Sequence, residues 1–210
     1  MKKVISLIVV FALCFTMAVS ASAASIEDTE DIVSEEILQQ HIQDVNNYLA
    51  EHAEPIDLEE QIIEYTIPLS DGTSAEYTIE LTKLSQNART IFDAKLGTWI
   101  FTSSVNLPLH GKITVNTTVN IYHVPTEQYD FVRFRAYNGN VSAIPVQFSS
   151  ITGTSAETSV VYSEIWYQTA GYVGFDILGL PFNVYFTQDI TFVNNHDQNT
   201  KIQCVMNYEI

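Results

Sequence analysis

The sequence predicts a mainly β protein, in which an acidic amphipathic α-helix precedes an antiparallel β-sandwich or barrel-like body. Apolar residues recur first with a helical period of about 3.6 and then, from about residue 62, with the strand period of 2. Turn residues interrupt the alternating part roughly every ten residues, which is typical of short antiparallel strands. We therefore expect a signal peptide at 1–23, an acidic helical arm with a linker at 24–61, and a β-sandwich domain at 62–210.

The N-terminus has the parts of a secretory signal peptide. Lys2 and Lys3 precede an apolar run from Val4 to about Val19, and small residues follow in an Ala-x-Ala pattern. We expect cleavage near Ala23 and a secreted product, extracellular or on the cell surface. No later stretch approaches the roughly eighteen apolar residues of a membrane span, so a membrane is not an expected partner. These features resemble those of small exported proteins of Gram-positive bacteria.

The charge is unevenly distributed along the chain. The region from Ala24 to Glu64 has thirteen acidic residues and no Lys or Arg, whereas the region from Tyr65 onward has twelve acidic and seven basic residues. Without the signal peptide the formal net charge is therefore −18 instead of −16. Phosphate backbones and anionic lipid head groups repel such a chain, so nucleic acid is not an expected partner.

An amphipathic helix is predicted from about Thr29 to His52, and Pro55 ends it. Four residues spaced by four, three and four positions form its apolar stripe: Leu38, Ile42, Val45 and Leu49. Three interpretations remain open: the stripe packs on the β body, it supports self-association, or it belongs to a pro-segment that covers an apolar surface until cleavage. The linker at 56–61 has helical potential.

Two dipeptides predict β-hairpins, because glycine tolerates the positive φ of a tight turn. Asp71-Gly72 lies between two alternating runs, and Pro68 places the first of these strands at a sheet edge. Asn138-Gly139 lies between a second pair of runs, at 131–137 and 141–148. The remaining predicted segments are strands at 99–105, 112–122, 159–168, 182–186, 190–193 and 202–210, a helical turn at 84–95 and an apolar loop at 171–181.

The sequence predicts no catalytic residue, no metal site and no cofactor. Removal of the signal peptide leaves Cys204, whose alternation with apolar neighbours predicts core packing. The histidines lack the spacing of a zinc site; we expect His41 to pack against the body, and His110 and His196 to lie in solvated turns. The Asn/Asp cluster at 194–199 does not match a calcium-binding loop.

If the chain is an enzyme, Glu164 is the best single candidate for a catalytic carboxylate, because we expect it in the middle of a strand beside Trp166. A jelly-roll-type glycan-active enzyme needs two carboxylates facing each other across a cleft. The sequence offers no convincing second carboxylate, so enzymatic activity is the least favoured of the function classes.

Aromatic residues are the more useful sign of function. The region from Tyr65 onward holds two Trp, ten Tyr and nine Phe. Aromatic side chains give a large contact area at a low entropic cost. We predict a ligand-binding patch formed by Tyr122, Trp166, Tyr167 and Tyr172. The predicted function is a secreted, non-enzymatic binding or surface-interaction module of a bacterium, which recognises a protein or a glycan.

The segment at 98–124 supports an alternative function. Its two alternating runs, rich in Ser, Thr and Asn, flank a turn at Pro108–Gly111. This pattern resembles the insertion hairpins of β-pore-forming toxins, in which one face meets lipid and the other lines water. Any half-exposed hairpin has the same alternation, so a pore-forming protein is the alternative and not the first hypothesis.

Overall fold

The computed structural model describes residues 35–58, 62–84, 96–125, 130–146, 149–162, 164–177, 179–195 and 200–210. The signal peptide, the first residues of the predicted helix, most of the helical turn predicted at 84–95, and His196 lie outside these ranges. The described elements are α1 (Glu35–His52), β1 (Ile56–Asp57), β2 (Ile62–Pro68), β3 (Ser74–Lys83), β4 (Gly97–Leu107), β5 (Gly111–Pro125), β6 (Asp130–Pro145), β7 (Ser149–Tyr162), β8 (Trp166–Ile177), β9 (Leu180–Asn194) and β10 (Lys201–Glu209).

The strands form two five-stranded antiparallel sheets that pack together as a sandwich, which confirms the predicted fold class. The first sheet has the order β1-β10-β9-β8-β7, and the second has the order β2-β3-β4-β5-β6. Strand β5 shows why the sequence folds in this way. Its residues Ile113, Val115 and Val119 are buried between the sheets, whereas Lys112 and Thr114 lie on the outer face.

Helix α1 packs on the body, mainly on β10 and to a smaller extent on β2. All four residues of its apolar stripe are buried in the core: Leu38, Ile42, Val45 and Leu49. The first of the three interpretations therefore describes this conformation, and the stripe is not exposed to a second copy of the chain. Self-association through these residues stays a prediction. No helix in the described ranges has both the length and the apolar character needed to cross a membrane.

The start of the linker is a strand and not the helix that its sequence suggested. Ile56 and Asp57 pair antiparallel with Ile202 and Lys201 at the edge of the first sheet. The Ile56 side chain is fully buried. Burial of this residue and pairing with the β10 backbone override a helical propensity that is only a weak preference in so short a segment.

The prediction of a hairpin at Asn138-Gly139 was wrong, because both residues lie inside the continuous strand β6. The β5–β6 register shifts beside this dipeptide, as a β-bulge does. Glycine is required there for packing and not for a turn: a Cβ at position 139 would overlap Thr158 Oγ1 and Thr169 Cγ2 on the facing sheet. The Asp71-Gly72 turn is confirmed, with a φ of 86° at Gly72, and Pro68 does lie in an edge strand.

The strands around the candidate site also differ from their predicted bounds. A turn at residues 164–165 divides the strand predicted at 159–168, so Glu164 lies in a turn with a φ of 58° and not in mid-strand. The segment predicted as an apolar loop at 171–181 is the hairpin between β8 and β9, with Gly179 in the turn. Strand β9 is continuous where two short strands were predicted.

Candidate functional site

The structure separates the four aromatic residues of the predicted patch. Trp166 and Tyr172 are half-buried on the outer face of the first sheet, because even-numbered residues of β8 point away from the core. Tyr167 has the opposite parity and is only 2% exposed, and its hydroxyl donates to the Phe134 carbonyl over 3.1 Å. Tyr122 lies on the outer face of the second sheet. Tyr167 therefore cannot belong to a surface patch in this conformation.

A further aromatic residue, Tyr185 of β9, joins Tyr172 on the outer face. The two residues are direct partners in the β8–β9 register, and their ring centroids lie 6.1 Å apart. The Tyr185 side chain is 49% exposed. Sequence reasoning missed Tyr185, although its alternation with Asn183 and Thr187 was a signal that could have placed it on a polar face.

A hydrogen-bonded group of polar side chains lies on the same face. The indole Nε1 of Trp166 donates to Asp189 Oδ1 over 2.9 Å, and the Gln168 amide donates to the same oxygen over 3.0 Å. Gln168 and Asp189 are direct partners in the β8–β9 register, which holds the three groups together. Asp189 therefore orients the indole ring and the Gln168 side chain.

We call the outer surface formed by these five residues the β8–β9 face: Trp166, Gln168, Tyr172, Tyr185 and Asp189. Trp166 and Tyr172 are six residues apart on one strand, which corresponds to about 20 Å. The register extends the Tyr172–Tyr185 row to Ser155 of β7 and Glu209 of β10. The face is thus a broad sheet surface that suits an extended ligand.

The local charge restricts which ligands suit this face. Asp189 lies within it, and Glu157 and Glu209 are exposed on the flanking strands β7 and β10. Several carboxylates on one surface repel anionic groups. The arrangement of aromatic rings beside amide and carboxylate groups therefore suits an uncharged polar ligand or a basic one.

Tyr122 has a structural role that its sequence pattern did not reveal. Its hydroxyl donates to the Glu164 carboxylate, and the Arg135 guanidinium lies 5.7 Å from its ring centroid. The hydrogen bond to Glu164 and burial raise the pKa of Tyr122. The Phe134 amide also donates to the Glu164 carbonyl, over 2.8 Å. Glu164 thus joins the second sheet to the turn between β7 and β8.

The cysteine and two of the histidines have well-defined surroundings. Cys204 is buried beside Ser103 Oγ at 3.3 Å, and burial raises the pKa of its thiol to about 12, which confirms the predicted core packing. His41 is fully buried, as expected for a packing residue. His110 does lie in a turn, but it is only 3% exposed, so the expectation of a solvated side chain was wrong. Within the described ranges, no three His, Cys, Asp or Glu side chains are arranged to hold a metal ion.

Comparisons with protein-family models, with curated proteins and with solved structures found no match for this chain.

Proposed function

We propose that this chain is an exported binding module whose β8–β9 face recognises an uncharged glycan. The observation that carries the proposal is the Tyr172–Tyr185 pair, which lies on the same outer face as the Trp166–Asp189–Gln168 group. The aromatic rings offer apolar surface, and the amide and carboxylate groups offer donors and acceptors to hydroxyl groups. An exposed protein segment with neutral or basic side chains is the other ligand class that this chemistry fits.

The first experiment measures binding of the purified chain to insoluble polysaccharides and to bacterial cell walls, followed by titration of soluble neutral oligosaccharides. We expect chemical-shift changes to concentrate at the β8–β9 face. The double variant Tyr172→Ala/Tyr185→Ala is expected to weaken binding at least tenfold, because residues of this type carry a large share of the binding energy at interfaces.

The matched control is the double variant Ile62→Ala/Ile144→Ala, which removes exposed apolar side chains from the second sheet. It should bind as the unmodified protein does. Equal losses in both double variants, or shift changes confined to the second sheet, would contradict the proposed face. Binding to a protein but to none of the glycans would assign the face to the other ligand class.

The pore-forming alternative is supported by the existence of the predicted hairpin. Strands β4 and β5 pair from Gly97 with Ile121 to Leu107 with Gly111. Both strands lie inside the second sheet between β3 and β6, so insertion into a bilayer would have to break the pairing on both sides. Dye release from liposomes, with and without the residues before Glu64, tests this alternative; absence of leakage with either protein would rule it out.

A further inference from the structure

Two buried histidines meet where α1 contacts the turns of the second sheet. The ring centroids of His41, from α1, and His110, from the β4–β5 turn, are 5.4 Å apart. His41 Nε2 lies 2.9 Å from Asp71 Oδ2, in the β2–β3 turn. Neither ring nitrogen of His110 has a hydrogen-bond partner within the described ranges, although this side chain is 3% exposed.

From these contacts we propose that the His41–His110–Asp71 cluster is an acid-sensitive latch, which holds α1 on the body at neutral pH and releases it as the pH falls. The proposal concerns the helix alone and does not depend on the ligand of the β8–β9 face.

The geometry of the cluster disfavours protonation of His110 while α1 is docked. A proton on His110 would place a charge in a buried site where no described residue offers a hydrogen-bond acceptor to either nitrogen and where a second imidazole lies nearby. Desolvation, and to a smaller extent the neighbouring His41, lower the pKa of His110 to about 4, and the Asp71 carboxylate opposes this shift only in part. A histidine in water titrates near 6.5.

The sign of the pH dependence follows from that shift. Above about pH 6.5 His110 is neutral whether α1 is docked or released, so docking is not opposed. Between about pH 6.5 and pH 4, His110 binds a proton when α1 is released but stays neutral when α1 is docked. Docking of α1 therefore weakens as the pH falls.

Other charged groups near the latch support α1 instead of opposing it. Asp44 Oδ2 accepts a hydrogen bond from the Ser70 amide over 2.8 Å. Against the opposing effect of burial, the bonds from Ser70 and, to a smaller extent, the neighbouring His41 lower the pKa of Asp44. Asp71 has a pKa of about 2, because Thr73 and His41 donate to it, so it remains ionised through the range in which His110 titrates. Strands β2 and β10, which also pack on α1, carry these ionisable groups: Glu64, Tyr65, Lys201, Cys204, Tyr208 and Glu209.

We expect α1 to separate from the sheet, and not the reverse, because side-chain contacts hold α1 on the body. The β4–β5 turn that holds His110 lies between two paired strands. Helix α1, in contrast, is attached by its apolar stripe, by the Asp44 and His41 contacts, and by Asn46, which bonds both backbone groups of Tyr208. Opening of such an element requires less disruption than breaking the sheet.

The test is hydrogen exchange of the full chain followed by mass spectrometry at pH 7.5 and pH 4.5, corrected for the intrinsic exchange rate. Protection of the amides in α1 is expected to fall by roughly 80-fold at pH 4.5, the factor set by a change in the pKa of His110 from 6.5 to about 4. Protection of β8 and β9 should change much less. Equal protection of α1 at both pH values would overturn the latch.

Two variants separate the latch from general acid destabilisation. His110→Phe keeps a ring of similar size without a titrating nitrogen and should remove the pH-dependent loss of protection. His52→Phe, on the exposed side of the same helix, should retain it. Acid release that persists in His110→Phe would overturn the proposal. If His110→Phe fails to fold, an NMR titration of the unmodified protein decides: an ordinary pKa for His110 would equally refute the latch.

Discussion

Thr117, Gln188 and Thr169 form a polar connection through the middle of an otherwise apolar core. Thr117 Oγ1 donates to Gln188 Oε1, so the Thr169 hydroxyl, 2.5 Å from Thr117, must donate to Thr117. Thr158 in turn donates to Thr169 over 2.8 Å, and the Gln188 amide donates to Ser103 Oγ over 2.8 Å. The chain of bonds links both sheets, and each member has a partner, which makes burial of these polar groups tolerable.

The substitution Thr117→Val tests this connection. It leaves Gln188 Oε1 without its hydroxyl donor and Thr169 without its acceptor, so we expect a loss of about 2 kcal/mol in the free energy of unfolding. The measurement is urea denaturation. Thr118→Val, one residue along β5 and half-exposed on the outer face, is the control and should change stability by less than about 0.5 kcal/mol. Equal effects in the two variants would contradict the role of the network.

Sequence reasoning was most successful for residues whose environment follows from alternation. The burial of Cys204 and the outward position of Trp166 both follow from the strand period. Sequence reasoning was unsuccessful for His110, which is buried and whose ring lies beside that of His41, a residue distant in the chain. It also missed Tyr185, whose importance arises only from its pairing with Tyr172 across two strands.

At the scale of the element, α1 covers a strand edge that would otherwise be open. Strand β10 pairs with the two-residue strand β1 at its beginning only. Near its end, the Asn46 side chain donates to the Tyr208 carbonyl over 2.7 Å and accepts from the Tyr208 amide over 3.0 Å. A helix side chain thus replaces the partner that a neighbouring strand would supply, and the edge is protected from pairing with other chains.

The substitution Asn46→Asp tests this replacement. The variant keeps an acceptor for the Tyr208 amide but places a second oxygen against the Tyr208 carbonyl, so we expect a loss of about 1–3 kcal/mol in stability. Asn47→Asp adds the same charge at the exposed neighbouring position and is the matched control. Thermal and urea denaturation of both variants measure the difference; two indistinguishable variants would show that the Asn46 contacts contribute nothing.

Strand β6 depends on a glycine where the sequence suggested a turn. We expect Gly139→Ala to destabilise the protein by about 1–3 kcal/mol, because the added methyl group overlaps Thr158 and Thr169 and forces the two sheets apart. Gly153→Ala is the control, since the nearest atom to its Cβ would be the Tyr172 hydroxyl oxygen at 3.6 Å. Similar urea midpoints of the two variants would show that Thr158 and Thr169 accommodate the added methyl group, and would contradict this prediction.

At the scale of the whole molecule, negative charge exceeds positive charge. The sequence holds 25 acidic residues against 9 Lys and Arg. Within the described ranges, a salt bridge joins Asp71 to His41, which is charged only when protonated. Because acidic residues outnumber Lys and Arg, the folded chain gathers an excess of like charges into a smaller volume, and their repulsion opposes folding.

We expect added salt to stabilise the protein modestly. Raising sodium chloride from 10 mM to 200 mM shortens the screening distance from about 30 Å to less than 10 Å and so weakens repulsion among the carboxylates. The urea midpoint at pH 7.5 should increase. Potassium chloride at the same ionic strength is the control and should have the same effect. A midpoint that falls with salt would mean that local attractions outweigh the net repulsion.

The class of fold, the helix with its apolar stripe, the edge position of β2 and the buried face of the last strand could be predicted from the sequence alone. These features arise from local periodicity, and the burial of one face of each element makes that periodicity visible. Four features became known from the folded structure: α1 packs on the body, Asn138-Gly139 lies within a strand, Tyr185 pairs with Tyr172, and the rings of His41 and His110 are in contact. Each of these depends on contacts between residues far apart in the chain, and such contacts leave no local pattern in the sequence.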